Sequence, residues 1–143
     1  MKNTRIKYNF FHLFRVRYSE VDAQGIVFNS HYLTYFDCAI TEYFRAIKFN
    51  YIKEVKKTQN DFHLIKSVLE FKKPLIFDQI IEAGVRISRI GNSSITFDIE
   101  LYPIKKNTAH TKGEVIQVFV DQNSQKPVPL PKHFIDKVNK FQS

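Results

Sequence analysis

The residues best placed to do chemistry lie in one short loop, Ser19–Asn29, with the sequence SEVDAQGIVFN. It holds two carboxylates, Glu20 and Asp22, and one glycine, Gly25. A helix is predicted to begin straight after it, with Asn29 or Ser30 capping the first free backbone N–H groups. A loop carboxylate can act as a nucleophile or as the base that activates water. Unpaired N–H groups at the positive end of a helix dipole can hold the oxyanion that such an attack creates. Both halves of a hydrolytic site that needs no metal therefore stand side by side. By residue type alone, an aspartate here is more often a turn former that accepts from loop N–H groups.

These residues need a strand before them and a helix behind them. The strand reads HLFRVRY, with His12, Phe14, Val16 and Tyr18 on one face and Leu13, Arg15 and Arg17 on the other. The helix is predicted over Ser30–Ile47. Thr34, Cys38, Thr41, Arg45 and Lys48 form one narrow polar stripe; Tyr32, Leu33, Phe36, Ala39, Ile40, Tyr43, Phe44 and Ile47 fill most of the rest. So wide an apolar band belongs to a helix wrapped by a curved sheet. A short second helix follows in NYIKEVKKTQ. In FHLIKSVLEF, His63, Ile65, Ser67, Leu69 and Phe71 alternate against Phe62, Leu64, Lys66, Val68 and Glu70. QIIEAGVRISRI and SITFDIELYPI are two more alternating strands, the second with Ile95, Phe97, Ile99 and Leu101 inward and Thr96, Asp98 and Glu100 outward, and Val115–Val120 is apolar on both faces, as a central strand is. PKHFIDKVNKF closes the chain as a terminal helix. The expected fold class is α+β: a long central helix wrapped by a five-stranded, mainly antiparallel sheet, with a short C-terminal helix. Its exposed sheet edge is expected to pair with a second subunit, making a homo-oligomer.

The chain of 143 residues is expected to form a single domain over 1–143. That length buries roughly two-thirds of the unfolded surface, enough to dispense with a disulfide or metal staple. The single cysteine, Cys38, fits a reducing, cytoplasmic compartment. The N-terminal MKNTRIKYNFFHLF carries neither a signal peptide pattern nor a membrane span. Lys and Arg number 22 against 14 Asp and Glu, a net charge of +8, so an anionic partner or substrate is in view. Nucleic acid is the weakest such partner, because no recognition-helix, RNP or zinc pattern is present. The five histidines show no metal-ligand spacing.

The pattern R-x-R-Y-S-E-x-D-A-x-G-I-V-F-N-x-x-Y-L-x-Y-F-D, from Arg15 to Asp37, resembles the signature of the 4-hydroxybenzoyl-CoA thioesterase branch of the hotdog-fold acyl-CoA thioesterases. The segment from Lys72 to Leu101, with its proline-then-acidic loop and I-G-x-S-S turn, resembles the same family, as does the P-x-P loop near Pro127–Pro131. The resemblance implies a hotdog fold, assembly as dimers or dimers of dimers, and thioester hydrolysis at subunit interfaces. It implies that Asp22 is the catalytic aspartate and that the backbone N–H of Asn29 polarises the thioester carbonyl. The substrate implied is an acyl-CoA or an acyl-carrier-protein thioester, with coenzyme A as part of the substrate and no separate cofactor. Two positions depart from the family. Ile40 stands where many bacterial members carry a helix arginine, and Gly91-Asn92-Ser93-Ser94 lacks the basic cluster of aromatic-CoA relatives.

Around Asp22 the remaining residues take narrower roles. Glu20 is expected to pair with Arg15 or Arg17. Gly25 suits a positive φ or a close backbone approach. His31 lies in the first helical turn, where it shapes the pocket, and Phe28 and Tyr32 form core or pocket wall. Arg89 and Ser94, at the ends of later strands, complete the expected substrate contacts, with Arg89 directed at coenzyme phosphates. His31 and Glu42 are eleven residues apart, roughly 16 Å of helix, so they could pair only across subunits. A rival reading is a hotdog module that binds acyl-CoA or an acidic acyl-carrier protein without turnover.

Overall fold

A computed structural model describes residues 3–143. The strands are β1 (Phe11–Arg15), β2 (Asn60–Phe71), β3 (Ile80–Ile90), β4 (Ser94–Pro103) and β5 (Thr111–Asp121). The helices are α1 (Tyr32–Ala46), α2 (Tyr51–Thr58) and α3 (Lys132–Gln142). The sheet has the order β1-β3-β4-β5-β2 and is antiparallel throughout. The inner face presents Ile81, Ala83, Val85 and Ile87 of β3 and Ile95, Phe97, Ile99 and Leu101 of β4, all buried. Strict alternation of β-branched and aromatic residues puts them there. Against them lie Phe36, Ala39, Ile40, Tyr43 and Phe44 of α1, also buried. The polar stripe of Thr34, Cys38, Thr41, Arg45 and Lys48 is exposed, as its spacing predicts.

One glycine sets how closely helix and sheet can approach. A Cβ on Gly113 of β5 would lie 2.1 Å from the Phe36 ring, so glycine is the residue that lets α1 seat on the sheet. The helix ends in a Schellman turn: the Phe49 amide donates to Phe44 O at 3.0 Å, with Lys48 left-handed at φ 64°. Phe44 and Phe49 meet at 5.7 Å between centroids, the apolar contact that accompanies this motif. Those rings join Phe62, Phe119 and Phe134 in an aromatic cluster that docks α3.

The structure revises four sequence-based expectations. The first strand ends at Arg15 instead of Tyr18, because residues 18–20 turn into a 3-10 helix. The long helix opens with a 3-10 turn at Asn29–His31 and is α-helical only from Tyr32; neither Asn29 nor Ser30 caps it through a side chain. A bulge between Leu64 and Lys66 shifts the phase of β2, so Phe62 and Leu64 share a face with Ser67, Leu69 and Phe71. Glu100, on the outer face of β4, is only 3% exposed because residues 4–8 cross over it. Lys7 Nζ lies 3.4 Å from its carboxylate, and the Tyr102 hydroxyl donates to it at 2.8 Å.

Both sheet edges carry information. Beyond Val85 the β3 edge has no strand beside it among the described residues, and the Gln142 side-chain amide takes that place. Ile87 N donates to Gln142 Oε1 at 2.8 Å, and Gln142 Nε2 donates to Ile87 O at 2.9 Å. The other edge, β2, is long and bare, with Leu64, Ile65, Val68 and Phe71 exposed. No helix among the described residues is long and apolar enough to cross a membrane.

Gly113→Ala is expected to destabilise the protein by about 2–3 kcal/mol, because the new methyl overpacks Phe36. Urea unfolding followed by circular dichroism measures this; an unchanged midpoint would show that α1 can lift off without cost.

Candidate active site

The loop ahead of α1 is built as a narrow hairpin. Phe28 N donates to Glu20 O at 2.9 Å, Val21 bridges Val27, and Asp22 N donates to Ile26 O at 2.9 Å. This pairing sets Asp22 against Ile26 near the tip of the hairpin, while Phe28, opposite Glu20, leads straight into the first turn of the helix. Gly25 makes the bend with φ 78°. The hairpin is then stitched to the β2–β3 connection. Val27 N donates to Leu75 O at 2.8 Å, and Phe77 N donates to Gly25 O at 3.1 Å. Arg15 reaches Asp78 Oδ1 at 3.1 Å on the same connection.

Glu20 locks the hairpin from beneath. Its Oε1 accepts from the Arg17 amide at 2.8 Å and from the Tyr35 hydroxyl at 2.9 Å, and its Oε2 lies 3.1 and 3.0 Å from the Arg17 guanidinium. Burial pushes the Glu20 carboxyl up, but the Arg17 amide, the Tyr35 hydroxyl and the Arg17 charge together hold it below its ordinary value. Burial and the Glu20 carboxylate in turn push the Tyr35 hydroxyl up, so it remains a donor. Of the two carboxylates, Glu20 is thus committed to holding the loop, and its partner is Arg17, not Arg15.

Asp22 is the exposed carboxylate. Its Oδ1 accepts from the Gln24 amide at 2.8 Å, the turn-forming contact that orients the side chain, and among the described residues it has no ion-pair partner. The Asn29 amide opens the 3-10 turn, ahead of any intrahelical acceptor. Exposed apolar groups surround the hairpin: Tyr18 against Phe77 at 5.6 Å, Phe28 against His31 at 6.3 Å, with Ile76 and Leu33 nearby in sequence. Tyr32 lies beneath in the core, with its ring 4.9 Å from Phe71 of β2. An apolar margin of this kind around a polar group marks a surface to be covered by substrate or by another subunit.

Arg89 and Ser94 lie elsewhere. They flank the β3–β4 turn, where Ile90 pairs with Ile95, whereas the Asp22 hairpin sits by Ile80 at the other end of β3. Ten residues of strand, roughly 33 Å, separate the two ends within one subunit. Cys38 is exposed on the polar stripe of α1. What sequence reasoning missed is a cavity of about 790 Å³ at the opposite end of α1 from Asn29, walled by Ile40, Phe44, Phe62 and Leu64, with Arg45 and Lys48 at its rim. No local signal marks it, since its walls come from α1 and from β2, elements distant in the sequence.

The description "Thioesterase-like superfamily" applies to a family model that matches residues 16–138. The acyl-CoA thioesterase YbgC of Haemophilus influenzae is 27% identical over 118 residues, 82% of this chain and 85% of that protein. The acyl-CoA thioester hydrolase YbgC of Escherichia coli is 28% identical over 121 residues, 85% of this chain and 89% of that protein. A crystal structure of a Pseudomonas aeruginosa protein superposes with a TM-score of 0.86 at 28% identity, covering 97% of this chain and 95% of that one. The 1,4-dihydroxy-2-naphthoyl-CoA thioesterase of Synechocystis, at 13% identity, shares the fold with a TM-score of 0.85 over 94% of this chain and 98% of its own.

Glu20→Ala should cost about 2–3 kcal/mol, since it strands the Tyr35 hydroxyl and the Arg17 amide. The depressed Glu20 carboxyl also fixes the sign of a pH effect. Its contribution is fully present above the ordinary value of 4.5 and is lost as pH falls through the lower folded value. Wild type should therefore lose this part of its stability on acidification, and Glu20→Gln should not. Equal pH slopes below 4.5 in paired denaturation curves would contradict the clamp.

Proposed function

We propose that this chain, which belongs to the thioesterase-like superfamily, hydrolyses acyl-CoA thioesters to free acid and thiol with Asp22 as its catalytic carboxylate. The observation that carries the reading is the hairpin, which carries an exposed carboxylate without an ion-pair partner among the described residues and leads directly into the first amides of a buried helix. Family membership and the acyl-CoA thioesterases among its relatives support the substrate class. The thioester carbonyl accepts from the Asn29 N–H. Asp22 either takes a proton from the attacking water or attacks the carbonyl itself, and both routes lead to a tetrahedral oxyanion facing that amide. Collapse breaks the C–S bond and expels the coenzyme thiolate, which is reprotonated. If Asp22 is the nucleophile, water then hydrolyses the acyl-aspartate anhydride.

The reading includes a second copy of the chain. β2 offers an unpaired edge of twelve residues, about 40 Å long, with its apolar side chains in water. Proteins rarely leave such an edge uncovered. Antiparallel pairing with its own copy covers it and closes a two-fold dimer. Phe28, His31 and the exposed residues around Asp22 then form pocket wall. The exposure of Asp22 in one subunit favours a second reading, a module that binds acyl-CoA or acyl-carrier protein without turnover. Thiol release separates the two.

Asp22→Asn is expected to lower kcat by about 10²–10⁴-fold across a panel of acyl-CoAs, read as free thiol. Full activity in that variant would remove Asp22 from the mechanism. Val68→Lys, placing a charge on the β2 edge, should convert dimer to monomer in light scattering and lower turnover with it. An active monomer would show that the site is complete in one chain.

A further inference from the structure

The positive charge of this protein is concentrated in one place. Residues 45–58 and 126–143 together carry nine Lys and Arg against two Asp and Glu; the rest of the chain carries thirteen against twelve. Seven of the eight surplus charges therefore belong to two segments, and the fold packs those segments together. Phe49 meets Phe134 at 4.9 Å, Lys137 Nζ donates to Lys48 O at 3.2 Å, and His133 lies 2.9 Å from Glu54. The two acids of these segments are already engaged, Glu54 with His133 and Asp136 with Lys132 at 3.3 Å, and of the acids that the fold brings near them Glu42 pairs with Arg45 and Asp61 accepts from Tyr51. Lys48, Lys53, Lys56 and Lys57 have no carboxylate partner among the described residues. A concentrated, unpaired cationic surface of this kind attracts anions over a distance of roughly one Debye length.

Two residues of the cationic segments, Arg45 and Lys48, line the α1–α2 cavity; the rest of its lining is mostly apolar, with one carboxylate, Asp37. Arg45 is shared with Glu42, which leaves Lys48 as the free ammonium of the rim. Lys48 occupies the left-handed position of the Schellman turn, where glycine is favoured over other residues by about 1 kcal/mol. Local stability alone would select against a lysine there. Ile52 of α2 is 64% exposed beside it, with Lys53 next in the chain.

We propose that Lys48 and Lys53 bind the phosphates of the coenzyme portion of the substrate, and that they serve the Asp22 carboxylate of a second copy of the chain. The proposal rests on the thioesterase reading above and names the phosphate subsite of that site. Within one chain, nineteen helical residues separate Asn29 from Lys48, roughly 28 Å. The helix runs antiparallel to β2: Tyr32 meets Phe71 at one end, and Phe44 meets Phe62 at the other. When two β2 edges pair antiparallel, the Phe71 end of one copy lies beside the Phe62 end of the other. Each Asn29 hairpin is then brought next to the opposite copy's cavity and its lysine rim. The apolar floor takes the uncharged arm of the thioester, and the rim takes the charged end.

The test uses the intact oligomer and two substrates with one acyl group, the acyl-CoA and the acyl-pantetheine that lacks phosphates. Lys48→Gly combined with Lys53→Gln should raise KM for the acyl-CoA at least tenfold while kcat stays within twofold. Both constants for acyl-pantetheine should stay as in wild type. Lys48→Gly also relieves the left-handed backbone, so the melting temperature should hold or rise. An equal loss on both substrates, or no loss on acyl-CoA, overturns the proposal. Mixing subunits tests the shared site. Asp22→Asn and the double lysine variant, co-assembled in equal amounts and assayed with acyl-CoA well below its KM, should gain about a quarter of the wild-type rate over the unmixed variants, since half of the dimers are mixed and one of the two sites in each is intact. No recovery places both groups in one chain and overturns the shared arrangement. If wild type hydrolyses neither substrate, the thioesterase reading fails separately, and calorimetric titration with free coenzyme A still decides the subsite. Binding weakened at least tenfold by the double variant supports the lysine subsite, and unchanged or undetectable binding overturns it. Loss of acyl-carrier-protein binding with coenzyme A binding intact would assign the lysines to an acidic protein and overturn it as well.

Discussion

The constraint on which this structure turns is the burial of α1. Its apolar band extends round most of the helix, and no flat surface could cover it. The sheet curls to do so, and the close seat depends on Gly113 receiving Phe36. With the helix in that position, little else in it is free to act. Its polar stripe faces out, its C-terminus is tied off by the Phe44–Phe49 turn, and only its first amides remain unpartnered. Among the described residues, the first amides of the helix are thus the part of it that the wrapping does not satisfy.

Glu20 and Asp22 show how one loop divides two similar side chains. Glu20 turns inward to Arg17 and Tyr35 and becomes part of the scaffold. Asp22, two residues on, is carried to the outside of the same hairpin with one oxygen held by Gln24. The rigidity of the first is what gives the second a defined direction. A buried charge network of this kind fixes the backbone of a loop and leaves an exposed neighbour free to meet a ligand.

Much of this was legible in the sequence, for reasons that can be named. The alternation of Ile95, Phe97, Ile99 and Leu101 survives intact in β4, because that strand is central and paired on both sides. The stripe of α1 was equally clear, since every fourth or third residue was polar. β2 was misread in phase because a bulge inserts one residue at Ile65, and period-two counting has no symbol for it. Glu100 looked like a solvent-facing residue, since nothing local tells that residues 4–8 fold back across it. Arg89 and Ser94 were grouped with Asp22 as strand-end residues, while ten residues of strand hold them at the far end of one subunit. The lysine cluster was present as letters, but its meaning appeared only when Phe49 and Phe134 brought two distant segments together.

The Gln142 amide that pairs with Ile87 has a consequence for how the chain assembles. Strands β1 to β5 are all synthesised before residue 142, so the outer margin of β3 stays unsealed until the third helix arrives. A nascent chain without α3 would have all five strands but lack Phe134 and Val138 from its interior, with one seam of β3 still open. Closure of that seam is a late, side-chain-mediated event, in which a single glutamine stands in for a missing sixth strand.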